Sequence, residues 1–176
     1  MKKLIVLLFL PCSLLAQKFT VDQSKVTFFS DATLEDIYAE NTKTTSLYNL
    51  TTQEIVFSIP VKEFAFDRSL MREHFNEKYL ESEKYPKSVF QGKIERFDPA
   101  LTGPQEVVAK GKLTIHGVTK DIEVPGTIEK AGDQLSMKAK FNVKLEDYNV
   151  ERPQLLWQKI AEEVEVAVEL QYKPVK

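Results

Sequence analysis

The sequence predicts an all-β fold: about eight antiparallel strands curled into a barrel, with a short helical insert near residues 68–81. Three observations carry this reading. Long runs place an apolar residue at every second position, and clusters of turn residues separate those runs. A single charged stretch, LMREHFNEKYLESEKYP, breaks the alternation.

The chain has 176 residues, enough for one domain with a core of its own. Its first stretch, MKKLIVLLFLPCSLLAQ, joins two lysines to an apolar run that ends in Ala16. That is the pattern of a secretory signal cut after Ala16, which leaves residues 17–176 as the domain. The run is too short for a comfortable membrane span of about 20 residues. Cys12, the only cysteine, lies inside it after Pro11, whereas a lipoprotein signal needs a small residue before its cysteine. The exported domain would therefore have no disulfide, thiolate metal site or cysteine nucleophile. Losing Lys2 and Lys3 from 24 basic and 26 acidic residues takes the net charge from −2 to −4. No basic block points to nucleic acid or to an anionic membrane surface.

The N-terminal KFTVDQSKVTFFSDA reads as two short strands around Asp22–Ser24. Residues 43–52, KTTSLYNLTT, are β-prone without a definite register. QEIVFSIP turns Ile55, Phe57 and Ile59 inward, and SVFQGKIERF turns Phe90, Gly92 and Ile94 inward. EVVAKGKLTI and KDIEVPGTIE follow, joined by the tight turn at HGVTK and bringing Leu113 and Val124 inward. LSMKAKFNVKL alternates over eleven residues, with Phe141 and Val143 on its dry face. EVEVAVELQY closes the series. So long a sheet with one apolar face must pack on a second sheet or close on itself, and closure also removes exposed edges. The small inward residues Gly92, Ala109, Gly111, Gly126 and Ala139 admit two readings. They ease strand bending in a filled barrel, or they leave an elongated apolar cavity.

In the insert, Asp67 or Ser69 can cap a helix starting near Leu70. Leu70, Met71, His74 and Phe75 share one stripe, Arg72, Glu73 and Glu77 face away, and Tyr79–Leu80 begin a second short turn that ends at Tyr85–Pro86. The element reads as a cap on one end of the barrel. A second irregular segment, residues 148–163, carries Leu155, Leu156 and Trp157, and can close a mouth. Catalysis has little support, because no activated nucleophile, phosphate loop, dinucleotide fingerprint or metal-binding spacing is visible. The acidic pairs Glu35–Asp36 and Glu146–Asp147 read as solvated, and NLT at 49–51 fits a glycosylation sequon that matters only in a eukaryotic secretory route.

The segments LMREHFNEKYLESEKYPKSVFQGKI (70–94) and GKLTIHGVTKDIEV (111–124) resemble the YceI-like polyisoprenoid-binding family. Both motifs stand in the family's order, and the resemblance extends over the whole domain. It implies an exported, lipocalin-like antiparallel barrel with an elongated hydrophobic cavity that binds isoprenoid chains or related amphiphiles without catalysis. By that resemblance Leu70, Met71, Phe75 and Phe90 adjoin the ligand, and His116 has a structural role. The chain departs from the family in ENTKTTSLYNLTTQEI, which lacks the Gly-x-Phe segment of many members, so the N-terminal wall and the ligand's length and head lie outside the resemblance.

The expected function is non-catalytic binding, sequestration or transport of a long-chain apolar ligand in a periplasmic or secreted protein. The ligand would be a polyisoprenoid, an isoprenoid quinone or a fatty-acid-like lipid. Phe57, Ile94, Leu113, Val124, Phe141 and Val143 are expected to line the cavity, with Trp157 at a mouth. No cofactor, metal, nucleic acid or stable membrane span is expected, and a homodimer stays open. The alternative is a structural or interaction module with a filled barrel. A third reading, a small secreted hydrolase using His74, lacks an activated nucleophile.

Overall fold

The computed structural model describes residues 18–31, 36–151 and 161–175. Its strands are β1 (Lys18–Ser30), β2 (Ile37–Asn41), β3 (Thr45–Asn49), β4 (Glu54–Pro60), β5 (Ala65–Phe66), β6 (Lys87–Glu95), β7 (Gly103–Ile115), β8 (Val118–Ala131), β9 (Gln134–Lys144) and β10 (Glu163–Pro174). One helix, α1 (Ser69–His74), precedes a wider turn of helix over Phe75–Tyr79. The signal segment, its cut site and Cys12 lie outside the described residues, as do Leu155, Leu156 and Trp157.

Eight strands form a closed antiparallel barrel in the order β1-β10-β9-β8-β7-β6-β4-β3, returning to β1. The expected fold class is thus the observed one. Closure comes from β1 against β10, paired from Phe19↔Pro174 to Phe29↔Glu165. The other edge of β1 is shared. Lys18–Thr20 pair with β3, whereas Val26–Ser30 pair with β2, which in turn pairs with β5. The β2–β5 flap therefore extends the wall at one end of the barrel only.

The two short strands expected around Asp22–Ser24 are one strand of 13 residues. The polar break is a register shift between Val21 and Gln23 against β10. An irregularity of this kind absorbs an extra residue and keeps the apolar face turned inward on both sides of it. Strand β3 resolves the ambiguous 43–52 segment. Ser46 and Tyr48 point inward, while Leu47 is exposed.

Register is set by the dry face and reinforced outside. Lys112↔Asp121, Lys110↔Glu123 and Lys138↔Glu169 are cross-strand partners whose charges meet at 2.9, 3.3 and 3.4 Å. Such exposed pairs add little stability but penalise a slipped register. The β7–β8 turn is His116–Gly117, with φ of 49° and 76°. Positive φ at both central positions gives the hairpin twist that two-residue loops favour.

Candidate functional site

The barrel is filled at one end and hollow at the other. In the filled half, Phe19, Tyr48, Ile128, Leu135 and Tyr172 are each 1–2% exposed. Ser46 Oγ lies 2.8 Å from the Val56 carbonyl and 2.6 Å from the Tyr172 hydroxyl. The carbonyl can only accept, so Ser46 donates to it and Tyr172 donates to Ser46. The Tyr48 hydroxyl is buried without a hydrogen-bond partner among the described residues. Burial pushes the Tyr48 phenol up to about 12 and raises that of Tyr172 further.

The glycines belong to this filled architecture. Gly92 and Gly111 face each other across β6 and β7. A Cβ at Gly111 would collide with the Gln91 carbonyl oxygen, and one at Gly92 with that of Lys110. None of the five small inward residues lies on the wall of the cavity described next. At Gly92, Gly111 and Gly126 the missing side chain serves close backbone approach and not the cavity.

At the other end lies a cavity of about 370 Å³, within the usual size of a small-molecule pocket. Its wall is mostly apolar, and the cap covers it. Of the residues singled out from the sequence, Phe57, Leu113, Phe141 and Val143 reach it from the strands, and Leu70, Met71 and Phe75 from the cap. Phe90, Ile94 and Val124 are buried but lie outside its wall. Phe90 instead backs Phe57, ring on ring, with centroids 5.4 Å apart.

The cap holds to the wall through aromatic packing. Phe75 stacks on Phe28 at 5.4 Å and meets Phe64 and Phe66 at 5.5 and 5.0 Å. Sequence reasoning missed Phe28, Phe64 and Phe66. Phe28 was legible as the inward neighbour of Val26 in β1. Phe64 and Phe66 lie in a short irregular stretch with no period to read. Val164, Val166 and Val168 of β10 also reach the cavity and follow directly from the alternation.

The helical insert differs in detail from expectation. Neither Asp67 nor Ser69 caps α1; its N-cap is Arg68, with no side-chain bond. The second short turn starts at Glu81 rather than Tyr79, with the Lys84 and Tyr85 N–H groups 2.8 and 2.9 Å from the Glu81 carbonyl oxygen. The helix continues to Tyr79 with wider winding, and Leu80 N–H reaches back to Phe75 O at 2.9 Å. Phe75 and Tyr79, four residues apart, both lie on the cavity wall. The stripe Leu70, Met71, His74 and Phe75 does face the cavity, while Arg72, Glu73 and Glu77 are exposed. Burial raises the phenol of Tyr79, and burial followed by the nearby Asp147 charge raises that of Tyr148.

A latch fastens the far end of the cap. His116 Nε2 lies 2.7 Å from Glu81 Oε2, and its Nδ1 lies 3.3 Å from the Tyr148 carbonyl. The Tyr85 ring packs edge-on against His116 at 4.6 Å. It leaves no room for a side chain at Gly117, where a Cβ would sit 2.5 Å from the ring. The two sequence motifs thus meet in space at His116. Of the acidic pairs, Glu146 and Asp147 are exposed and face Lys144 and Lys120. Glu35 lies outside the described residues. Among the described residues, no group of three or more His, Cys, Asp or Glu could hold a metal ion, and no helix is long and apolar enough to cross a membrane.

The model of the YceI-like domain family matches residues 17–172. No curated protein matches the chain. Among solved structures, a polyisoprenoid-binding domain from Saccharophagus degradans, implicated in plant cell wall breakdown, superposes with a TM-score of 0.77 at 16% identity. It covers 89% of this chain and 98% of its own. BcnA of Burkholderia cenocepacia gives 0.71 at 20% identity over 84% and 95%. The YceI protein of Campylobacter jejuni gives 0.58 at 14% identity over 100% and 90%. At these identities the likeness is one of fold.

Proposed function

Since the chain belongs to the YceI-like domain family, we propose that it is a non-catalytic carrier that sequesters or transports a long-chain apolar ligand in its barrel. The observation that carries this reading is the capped apolar cavity of about 370 Å³ in the hollow half. Each Å² of apolar surface that a chain buries there is worth about 25 cal/mol. Phe57, Leu113, Phe141 and Val143 form the proposed wall, and Leu70, Met71 and Phe75 the proposed lid. The S. degradans neighbour is described as a polyisoprenoid-binding domain, which supports a polyisoprenoid, an isoprenoid quinone or a fatty-acid-like lipid as ligand class. Export to the periplasm or beyond rests on the signal-like residues 1–16.

A second reading, a structural module, draws on the filled half around Tyr48 and Tyr172. Native mass spectrometry after gentle purification separates the two. A carrier retains or takes up one apolar molecule per chain from a lipid extract. A protein that stays bare in every extract is a structural module.

A further inference from the structure

We propose that the stacked rings of Phe57 and Phe90 are the floor of the cavity and set the length of tail that the barrel accepts, so that the ligand is an amphiphile whose buried tail spans the hollow half alone. The inference rests on the carrier reading and narrows its ligand by tail length.

The wall stops at one level around the barrel. On β4 it ends at Phe57, on β7 at Leu113, on β9 at Phe141 and on β10 at Val168. The next inward residues along those strands, Ile55, Gly111, Ala139 and Leu170, all lie off it. From Val164 to Val168 the wall covers about 13 Å of β10, which is about 10 Å of depth for a strand tilted as barrel closure requires. Strand β10 itself runs on to Pro174, so the rest of its length backs the filled half.

Phe57 and Phe90 are cross-strand partners, and Leu113 pairs with Phe90 on its other side. The two rings stack with centroids 5.4 Å and planes 27° apart. Phe57 faces the cavity, while Phe90 is 3% exposed and lies behind it. The tip of the Phe90 ring reaches over Gly92, where a Cβ would sit 2.8 Å from its Cζ. A side chain at position 92 would push the ring from this seat. The ring in turn covers the bare glycine backbone, a pairing that steadies both. Below the rings Ile94, Val124 and Met137 are buried, so a tail that reaches Phe57 meets packed side chains and not a further void. Each methylene beyond that point stays in water or has to displace core atoms, and so adds none of the affinity that burial gives.

The test measures the binding of saturated fatty acids from octanoate to stearate, below micelle formation, by displacement of the fluorescent probe N-phenyl-1-naphthylamine. The head is the same throughout, so only the tail varies. Each added methylene should tighten binding about fourfold until the tail meets the floor, and affinity should then level off before stearate. Phe57→Ala removes the upper ring and deepens the cavity, so the ratio of stearate to octanoate affinity should rise about tenfold. Phe57→Leu keeps more of the packing and carries the test if Phe57→Ala does not fold; it should raise the same ratio by a smaller factor. An undiminished gain per methylene up to stearate overturns the proposal and leaves the carrier reading standing. So does levelling off at the same acid in the unaltered chain and in the folded variants. If no acid of the series displaces the probe, the carrier reading fails and the proposal fails with it.

Discussion

Glu81 Oε2 and His116 Nε2 lie 2.7 Å apart, and with the Tyr85 ring on His116 this contact ties the end of the cap to the β7–β8 hairpin. Glu81 adopts φ of 43°, an unfavourable backbone for a residue with a side chain. His116 is also left-handed and contacts the Tyr148 carbonyl on its other side. Both partners are acceptors, so a neutral ring with one N–H satisfies one of them at a time. His116→Ala should cost about 1–2 kcal/mol, since it removes these bonds and the packing of Tyr85. Hydrogen exchange should quicken over residues 69–82 more than in β9. Unchanged protection of the cap in the variant would show that the latch does not hold it.

Phe75 is the centre of the cap's grip, touching Phe28, Phe64 and Phe66. Phe75→Ala removes all three ring contacts at once and opens the lid side of the cavity. Phe75 is only half-buried, so the expected loss is about 2–4 kcal/mol, at or below the range for a fully buried phenylalanine. Urea denaturation measures it. A loss under about 0.5 kcal/mol would mean that the cap is held elsewhere.

Filling the cavity and crowding the glycines should have opposite signatures. Gly111→Leu pushes a side chain into the Gln91 carbonyl in the filled half, so it should destabilise by more than about 1–3 kcal/mol or prevent folding. Val166→Phe extends a half-buried side chain into the hollow half, so it should leave stability within about 1 kcal/mol and reduce lipid uptake. Thermal melts beside a probe-uptake assay distinguish the two. If Val166→Phe leaves uptake unchanged, the ligand does not occupy this cavity.

How much of this was legible depended on whether the physics was local. The alternation in β9 and β10 fixed which faces point inward, because a period of two needs no knowledge of the rest of the chain. The break in β1 looked like a turn because Asp22 and Ser24 are turn formers, yet pairing along most of β10 overrode their preference. The cap's stripe was readable, but its winding was not. Wider winding at Phe75 is selected by three rings that come from β1 and the β4–β5 region. The choice of Phe90, Ile94 and Val124 as wall residues followed from their inward facing alone. Depth along the barrel decides between wall and core, and depth depends on strand stagger, which alternation does not encode.

The two buried tyrosines of the filled half should respond in opposite directions to losing a hydroxyl, and together should limit stability in alkali. Tyr172 donates to Ser46, so Tyr172→Phe should cost about 1 kcal/mol. The Tyr48 hydroxyl has no partner among the described residues, so Tyr48→Phe should be neutral or stabilise by up to about 1–2 kcal/mol. Their titration follows from the same burial. The folded chain holds the Tyr48 proton up to about pH 12, whereas the unfolded chain releases it near the ordinary phenol value of 10.0. Between those values the folded state binds more protons than the unfolded one, so stability falls as pH rises. The contribution is complete below the unfolded value and is lost on passing through the folded one, with Tyr172 acting in the same sense. Urea midpoints should therefore drop between about pH 10 and pH 12, and Tyr48→Phe should flatten that slope. Tyrosinate absorbance of the native protein should lag behind that of the urea-unfolded chain over the same interval. Coincident titration curves for the folded and unfolded chains would rule out this account of the filled half.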